Sequence, residues 1–225
     1  HVLYKYRPND TANDNAWKEV ADAAVTVLPF IEKHFGAYPY KQYSFIHGGD
    51  GGMEYPMATL VSGPGLGTAF HEWMHSWYQM MLGTNESLYA WMDEGFTTYA
   101  EDLVSAFYKQ QKNSPVKSNA LSTGPGNENS GADLPLYHAD TYASYFNLAK
   151  SGLEEPLTTH ADHFNTNFAY ARAAYSKGAV FLVQLGYIIG DSLRDRTLLE
   201  YYRQWRVYKP RAIVYFSVVE KRKEI

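Results

Sequence analysis

The 225-residue chain contains no cysteine, which excludes disulfides and thiolate metal ligands alike. Nor does any apolar run approach the roughly eighteen residues of a membrane span. The longest, Ala179 to Ile189, is interrupted by Gln184 and Gly186 and reads as a buried helix. An excess of positive charge is missing too. Lys and Arg number 20 against 24 Asp and Glu, a formal net charge of −4 with pI near 6.1, so nothing electrostatic argues for nucleic acid. No signal peptide is visible, position 1 is histidine rather than methionine, and the basic end Lys221-Arg222-Lys223 has no obvious stop. Such a chain reads as a segment of a longer protein, with a lean toward export. Aromatic residues, by contrast, are plentiful: 16%, including 20 tyrosines, enough for a dense core or a ligand cleft.

Periodicity divides the chain unevenly. His1 to Arg7 alternates as a strand does, and Trp17, Val20, Ala21, Ala24, Leu28, Ile31 and Phe35 recur at helical spacing before Gly36 and Pro39. Pro29 predicts a kink in that helix. Tyr43–His47 and Met57–Val61 read as strands around a glycine-rich loop, Gly48 to Gly52. Helices follow at about Thr68–Leu82, Trp91–Lys109, Leu136–Lys150, Tyr175–Ile189 and Ser192–Trp205. Residues 112–135, rich in Ser, Asn, Gly and Pro, read as an exposed insertion. This predicts an α+β domain over 1–225: a sheet-containing lobe (1–66) with a small mixed sheet, then a helical lobe (67–225).

One short run carries chemistry. His71-Glu72-Trp73-Met74-His75 places two imidazoles one helical turn apart on one face, where a divalent metal can sit between them. Glu72, off that face, can hold a water. After eighteen further residues Glu94 arrives, far enough along to finish one helix, turn and return a carboxylate as third ligand. Two imidazoles, a carboxylate and an open fourth position describe a catalytic zinc site, one Zn2+ per chain. The competing reading, two ordinary helix-face histidines, leaves a buried polar pair without a partner.

Three separated motifs between about residues 50 and 205 then resemble the catalytic domain of the aminopeptidase N family, the gluzincin metallopeptidases that also include leukotriene hydrolase. They are His71, Glu72, His75 and Glu94 with their spacing; Gly51-Gly52-Met53-Glu54-Tyr55, similar to the family's Gly-x-Met-Glu-Asn substrate strand; and Tyr175-Ser176-Lys177-Gly178, similar to its Tyr-x-Lys-Gly motif at a helix start. The resemblance implies a thermolysin-like fold and removal of N-terminal residues from peptides. Glu72 would be the general base, Tyr175 the oxyanion donor, Glu54 the anchor for a free α-ammonium, and Gly51, Gly52 and Met53 part of the substrate strand. Asp93, where the family commonly has Asn, and Glu101 could each orient a ligand histidine. Tyr170 is a second candidate cleft tyrosine.

The chain also departs from the pattern. Tyr55 replaces the usual Asn, the stretch between Glu94 and Tyr175 is long, and the likeness fades after Tyr208. The family's flanking domains, which wall the cleft, are absent from this sequence. Two rivals stay open: an endopeptidase or epoxide hydrolase using the same zinc set, and a non-catalytic peptide-binding remnant. His138, His160 and His163 lack partners at metal spacing and are expected at the surface or in loops.

Overall fold

In a computed structural model the chain is described over residues 11–113 and 136–206. The strand expected at 1–7, the basic tail and all of the 112–135 insertion beyond Asn113 lie outside the described residues. Helix α1 (Thr11–Phe35) buries Val20, Ala23, Val27, Ile31 and Phe35 along one stripe. It runs unbroken through Pro29. The proline removes the bond to the carbonyl of Val25, a residue 72% exposed, so the freed carbonyl lies on the solvent side of the helix. At the end of α1, Gly36 adopts φ 111 over the ring of Tyr202. The carbonyls of Gly36 and Ala37 then accept from Trp77 Nε1 and Tyr202 Oη, both at 2.8 Å, pinning this turn to the helical core.

Three short strands follow: β1 (Ser44–His47), β2 (Gly52–Tyr55) and β3 (Ala58–Val61). Their order is β1-β3-β2, with β1 parallel and β2 antiparallel to β3, the small mixed sheet expected. Two details differ from the sequence reading. Gly52 opens β2 rather than closing a loop. Met57 sits at φ 60 in the β2–β3 turn rather than in the strand, because Pro56 before it fixes a tight reversal. Thr59, fully buried on β3, donates to the Met53 carbonyl at 2.9 Å and fastens β2 as an edge strand.

The rest of the described chain is helical: α2 (Leu66–His75), α3 (Phe96–Asn113), α4 (Ala139–Ser151), α5 (Asn167–Ala171), α6 (Gly178–Ile189) and α7 (Asp191–Trp205). Three stretches between them are wound as π-helix: Ser76–Met81, Trp91–Gly95 and Arg172–Lys177. Helical periodicity gives no warning of these. The helix expected from Tyr175 in fact starts at Asn167, capped by Thr166, whose Oγ1 accepts from Ala169 N at 3.0 Å. One continuous core joins α1, α2, α3, α6 and α7 through Ile31, Phe70, Met74, Trp77, Phe96, Tyr99, Leu182 and Tyr201. The architecture is α+β and mostly helical.

His138 is not a surface residue. It is 2% exposed, stacks on Tyr99 with ring centres 5.3 Å apart, and its Nδ1 lies 2.7 Å from Asp102 Oδ2. Asp102 also accepts from Thr141 Oγ1 at 2.7 Å, so this histidine fastens the start of α4 to α3. His163 is exposed, and His160 caps a short turn by accepting from Asp162 N.

Candidate metal centre

Helix α2 presents His71 and His75 on one face, and the π-helical stretch Trp91–Gly95 delivers Glu94 opposite them. The three donor atoms form a nearly equilateral triangle. His71 Nε2 lies 3.2 Å from His75 Nε2 and 3.2 Å from Glu94 Oε2, and His75 Nε2 lies 3.3 Å from that same oxygen. The outer ring nitrogens each face a carboxylate. His75 Nδ1 is 2.7 Å from Asp93 Oδ1, and His71 Nδ1 is 3.6 Å from Glu101 Oε2. In the neutral form with the proton on Nδ1, each Nε2 would present a lone pair, and the two Nε2 atoms converge on one point.

The triangle is a test of fit for a metal ion. Two donors each about 2.0–2.1 Å from a tetrahedral ion stand about 3.3 Å apart. The edges of the triangle match that separation. Two facing lone pairs would otherwise repel, and a cation is what makes their approach favourable. The donor set, two imidazoles and a carboxylate without thiolate, suits zinc.

The electrostatics of the protein groups alone agree. Burial by itself lowers His71, but the carboxylates of Glu101 and Glu94 outweigh it and carry it up to about 9. For His75 burial again opposes, and Asp93 and Glu94 win, leaving it well above the ordinary range. Burial would raise Glu94, yet its bonds to the two histidines hold it well below the usual carboxylate range. Asp93 is shifted up by burial, with His75 pulling the other way. The carboxylates thus favour positive charge at the two histidines.

Glu72 points elsewhere. It is 7% exposed, and its Oε2 is buried without a hydrogen-bond partner. Burial pushes it up to about 7, against the pull of the two histidines. Tyr175, in the π-helical stretch Arg172–Lys177, donates to Glu94 Oε1 at 2.7 Å and stacks on the His71 ring at 5.6 Å and 12°. Its hydroxyl is shifted strongly upward by burial and by Glu94, so it stays protonated. Tyr170 is raised to about 12, first by burial and then by nearby carboxylates, and meets Phe164 edge-on at 5.6 Å.

These side chains line one cavity of about 610 Å³. Gly52, Met53 and Glu54 of β2 form one wall, and Gly52 passes directly over the Glu72 carboxylate and Thr68. A carboxylate oxygen of Glu54 lies within 4.8 Å of donor atoms on His75 and Asp93. Gly51 stands in open space before β2 and is not among the lining residues. Six carboxylates (Glu54, Glu72, Glu86, Asp93, Glu94 and Glu101) face the cavity, and no Lys or Arg does among the described residues.

Sequence reasoning passes over part of this site. Thr97 Oγ1 lies 3.3 Å from His75 Nδ1, fully buried, and its position three residues after Glu94 is a usable signal. Glu86, Ser87 and Ala161 form a rim that no local pattern announces; Ala161 N donates to the Ser87 carbonyl at 2.8 Å and ties two distant loops together.

No protein-family profile matches the chain, and no curated protein sequence does. Solved structures do. An M1 zinc metallopeptidase from Deinococcus radiodurans superposes with TM-score 0.66 at 18% identity, over 89% of this chain and 40% of its own. A mutant of that enzyme bound to a Tyr-Ser-Ala substrate matches with TM-score 0.66 at 18% identity, over 99% of this chain and 43% of its own. A two-domain M1 zinc metallopeptidase mutant bound to L-arginine gives TM-score 0.66 at 19% identity, over 89% and 40%. The fold is thus that of M1 zinc metallopeptidases, and this chain spans about two fifths of the length of each.

Proposed function

We propose that the chain is the catalytic domain of a zinc aminopeptidase of the aminopeptidase N kind, removing residues from peptides with a free N-terminus. The observation that carries this reading is the triangle of His71, His75 and Glu94, its edges matched to tetrahedral zinc and its outer nitrogens held by Asp93 and Glu101. Zinc, when bound by these three, supplies a Lewis acid that polarises the scissile carbonyl and acidifies a water.

The protein groups do the rest. Glu72 accepts the proton of the attacking water at its unpartnered Oε2 and passes it to the leaving amine. A carboxylate that burial pushes up to about 7 is matched to both halves of that transfer. Tyr175 holds a proton on its hydroxyl beside the site and donates it as a hydrogen bond where oxyanion charge develops. Glu54, an arm of the edge strand within 4.8 Å of the His75 and Asp93 donors, anchors the α-ammonium, so cleavage is counted from the amino end. The cavity of carboxylates without a facing Lys or Arg supports a positively charged substrate end.

The test is zinc content measured together with hydrolysis of free and N-acetylated aminoacyl amides. One zinc per chain and cleavage of the free amides alone are expected. Glu72→Gln should keep the zinc and lose about 10²- to 10⁴-fold in kcat. Equal cleavage of acetylated substrates would turn the reading toward an endopeptidase.

A further inference from the structure

Gly95 and Gly178 are helical glycines without a conformational reason to be glycine. Neither has positive φ, and Gly178 sits at φ −61, ψ −44, where alanine is the better helix former. What they have in common is each other. A Cβ on Gly95 would stand 2.6 Å from Gly178 Cα and 2.8 Å from the Ala174 carbonyl oxygen. A Cβ on Gly178 would stand 2.8 Å from Gly95 Cα and 3.1 Å from the Trp91 carbonyl oxygen. All these neighbours are backbone, which cannot swing aside. The two π-helical stretches, Trp91–Gly95 and Arg172–Lys177 with its following glycine, therefore cross backbone on backbone at this one point.

Both residues are placed beside the chemistry. Gly95 follows Glu94 directly, and Gly178 lies three residues after Tyr175. The neighbours of Tyr175 are fastened on other sides. Ser176 donates to Ser144 Oγ of α4 at 2.7 Å, and Lys177 reaches the Glu155 carbonyl at 2.9 Å and Glu154 Oε1 at 2.7 Å. The glycine contact adds a backbone constraint between the stretch that carries Tyr175 and the one that carries Glu94.

We infer that Gly95 and Gly178 are positioning residues whose contact sets the distance between Tyr175 Oη and Glu94, and with it the donor's place over the substrate carbonyl. This rests on the role given to Tyr175 above. Carbon atoms pack at about 3.5–4.0 Å, so either added Cβ would part the stretches by about 1 Å. The 2.7 Å hydrogen bond would then open beyond bonding distance.

Gly178→Ala and Gly95→Ala are compared with the parent, with Tyr175→Phe and with each double variant. Gly186→Ala is the control: on the same helix α6, its Cβ would first meet the side-chain ends of Arg194 and Asp191, not backbone. The expected result is retention of one zinc, a kcat loss of about 10- to 100-fold with little change in KM, and near-complete non-additivity with Tyr175→Phe. The control should shift Tm and leave kcat alone. The crystal structure of Gly178→Ala should show Tyr175 Oη drawn away from Glu94. That distance reads the contact whether or not the parent hydrolyses peptides, so an inactive parent would sink the functional reading and not this one. Unchanged kcat, losses that multiply in full with Tyr175→Phe, an unmoved tyrosine, or failure of both alanine variants to fold would each overturn the inference.

Discussion

Replacing Asp93 by Ala isolates the contribution of one buried hydrogen bond to metal affinity. Asp93 Oδ1 lies 2.7 Å from His75 Nδ1, with the two side chains 4% and 1% exposed. Removing an outer partner of a ligand histidine costs about 10- to 100-fold in metal affinity, or about 1.4–2.7 kcal/mol. The worth of a charge-assisted hydrogen bond, about 1.5–3 kcal/mol, gives the same answer independently. The loss depends on pH in a direction that can be worked out. Asp93 raises the affinity of His75 for protons as well as for zinc, and a ligand must be deprotonated. At neutral pH the parent expels protons from His71, which stands at about 9, and from His75 before zinc binds. The Ala variant gives up its His75 proton more readily, which conceals part of its weakness. As pH rises the proton term fades and more of the deficit appears. Competition of zinc against a chromophoric chelator should therefore show a variant-to-parent Kd ratio that grows from pH 7 to pH 9.5. A ratio near one at both pH values, in a variant folded like the parent, would refute the assigned role of Asp93.

Three further outcomes are expected. Glu54→Gln should raise KM for free aminoacyl amides about tenfold or more while zinc content holds, because a charged hydrogen bond to the amine is lost; steady-state kinetics and metal analysis check it. Peptides beginning with Arg should be cleaved with higher kcat/KM than those beginning with Asp, and the gap should narrow as salt screens the six cavity carboxylates; a gap indifferent to ionic strength would remove the electrostatic account. Gly36→Ala should lower stability by about 3 kcal/mol or more, since φ 111 and the Tyr202 ring both exclude a Cβ; urea unfolding reads it.

The sequence made the site legible wherever spacing alone carries geometry. His71 and His75 are brought together by the helical turn, and Glu94 by the length of one hairpin of helices. Glu101 could be placed because it lies two helical turns past Glu94, and Asp93 because it stands where the resembled family has Asn. Where position depends on distant packing, local pattern is silent. Nothing around His138 tells that Asp102 and Tyr99 wait for it on α3. The start of α5 was readable, since Thr166 is a good cap, but the polar run before Tyr170 hid it. The β2 strand is four residues long with only Glu54 better than exposed, so alternation of polarity could not mark it.

The π-helical stretches give the site a phase. Each of His75, Glu94 and Tyr175 lies within or next to one. A π turn holds an extra residue relative to an α turn, so deleting one residue from Trp91–Gly95 would let the stretch wind as α-helix, keeping α3 in phase while shifting the residues inside the turn, Glu94 among them. That helix carries Thr97 and Glu101, which face His75 and His71. Such a deletion would leave Thr97 and Glu101 facing the histidines and take Glu94 away from them, whereas point substitutions in the same stretch leave the phase intact. Insertions and deletions, more than substitutions, are the changes to which this centre is exposed.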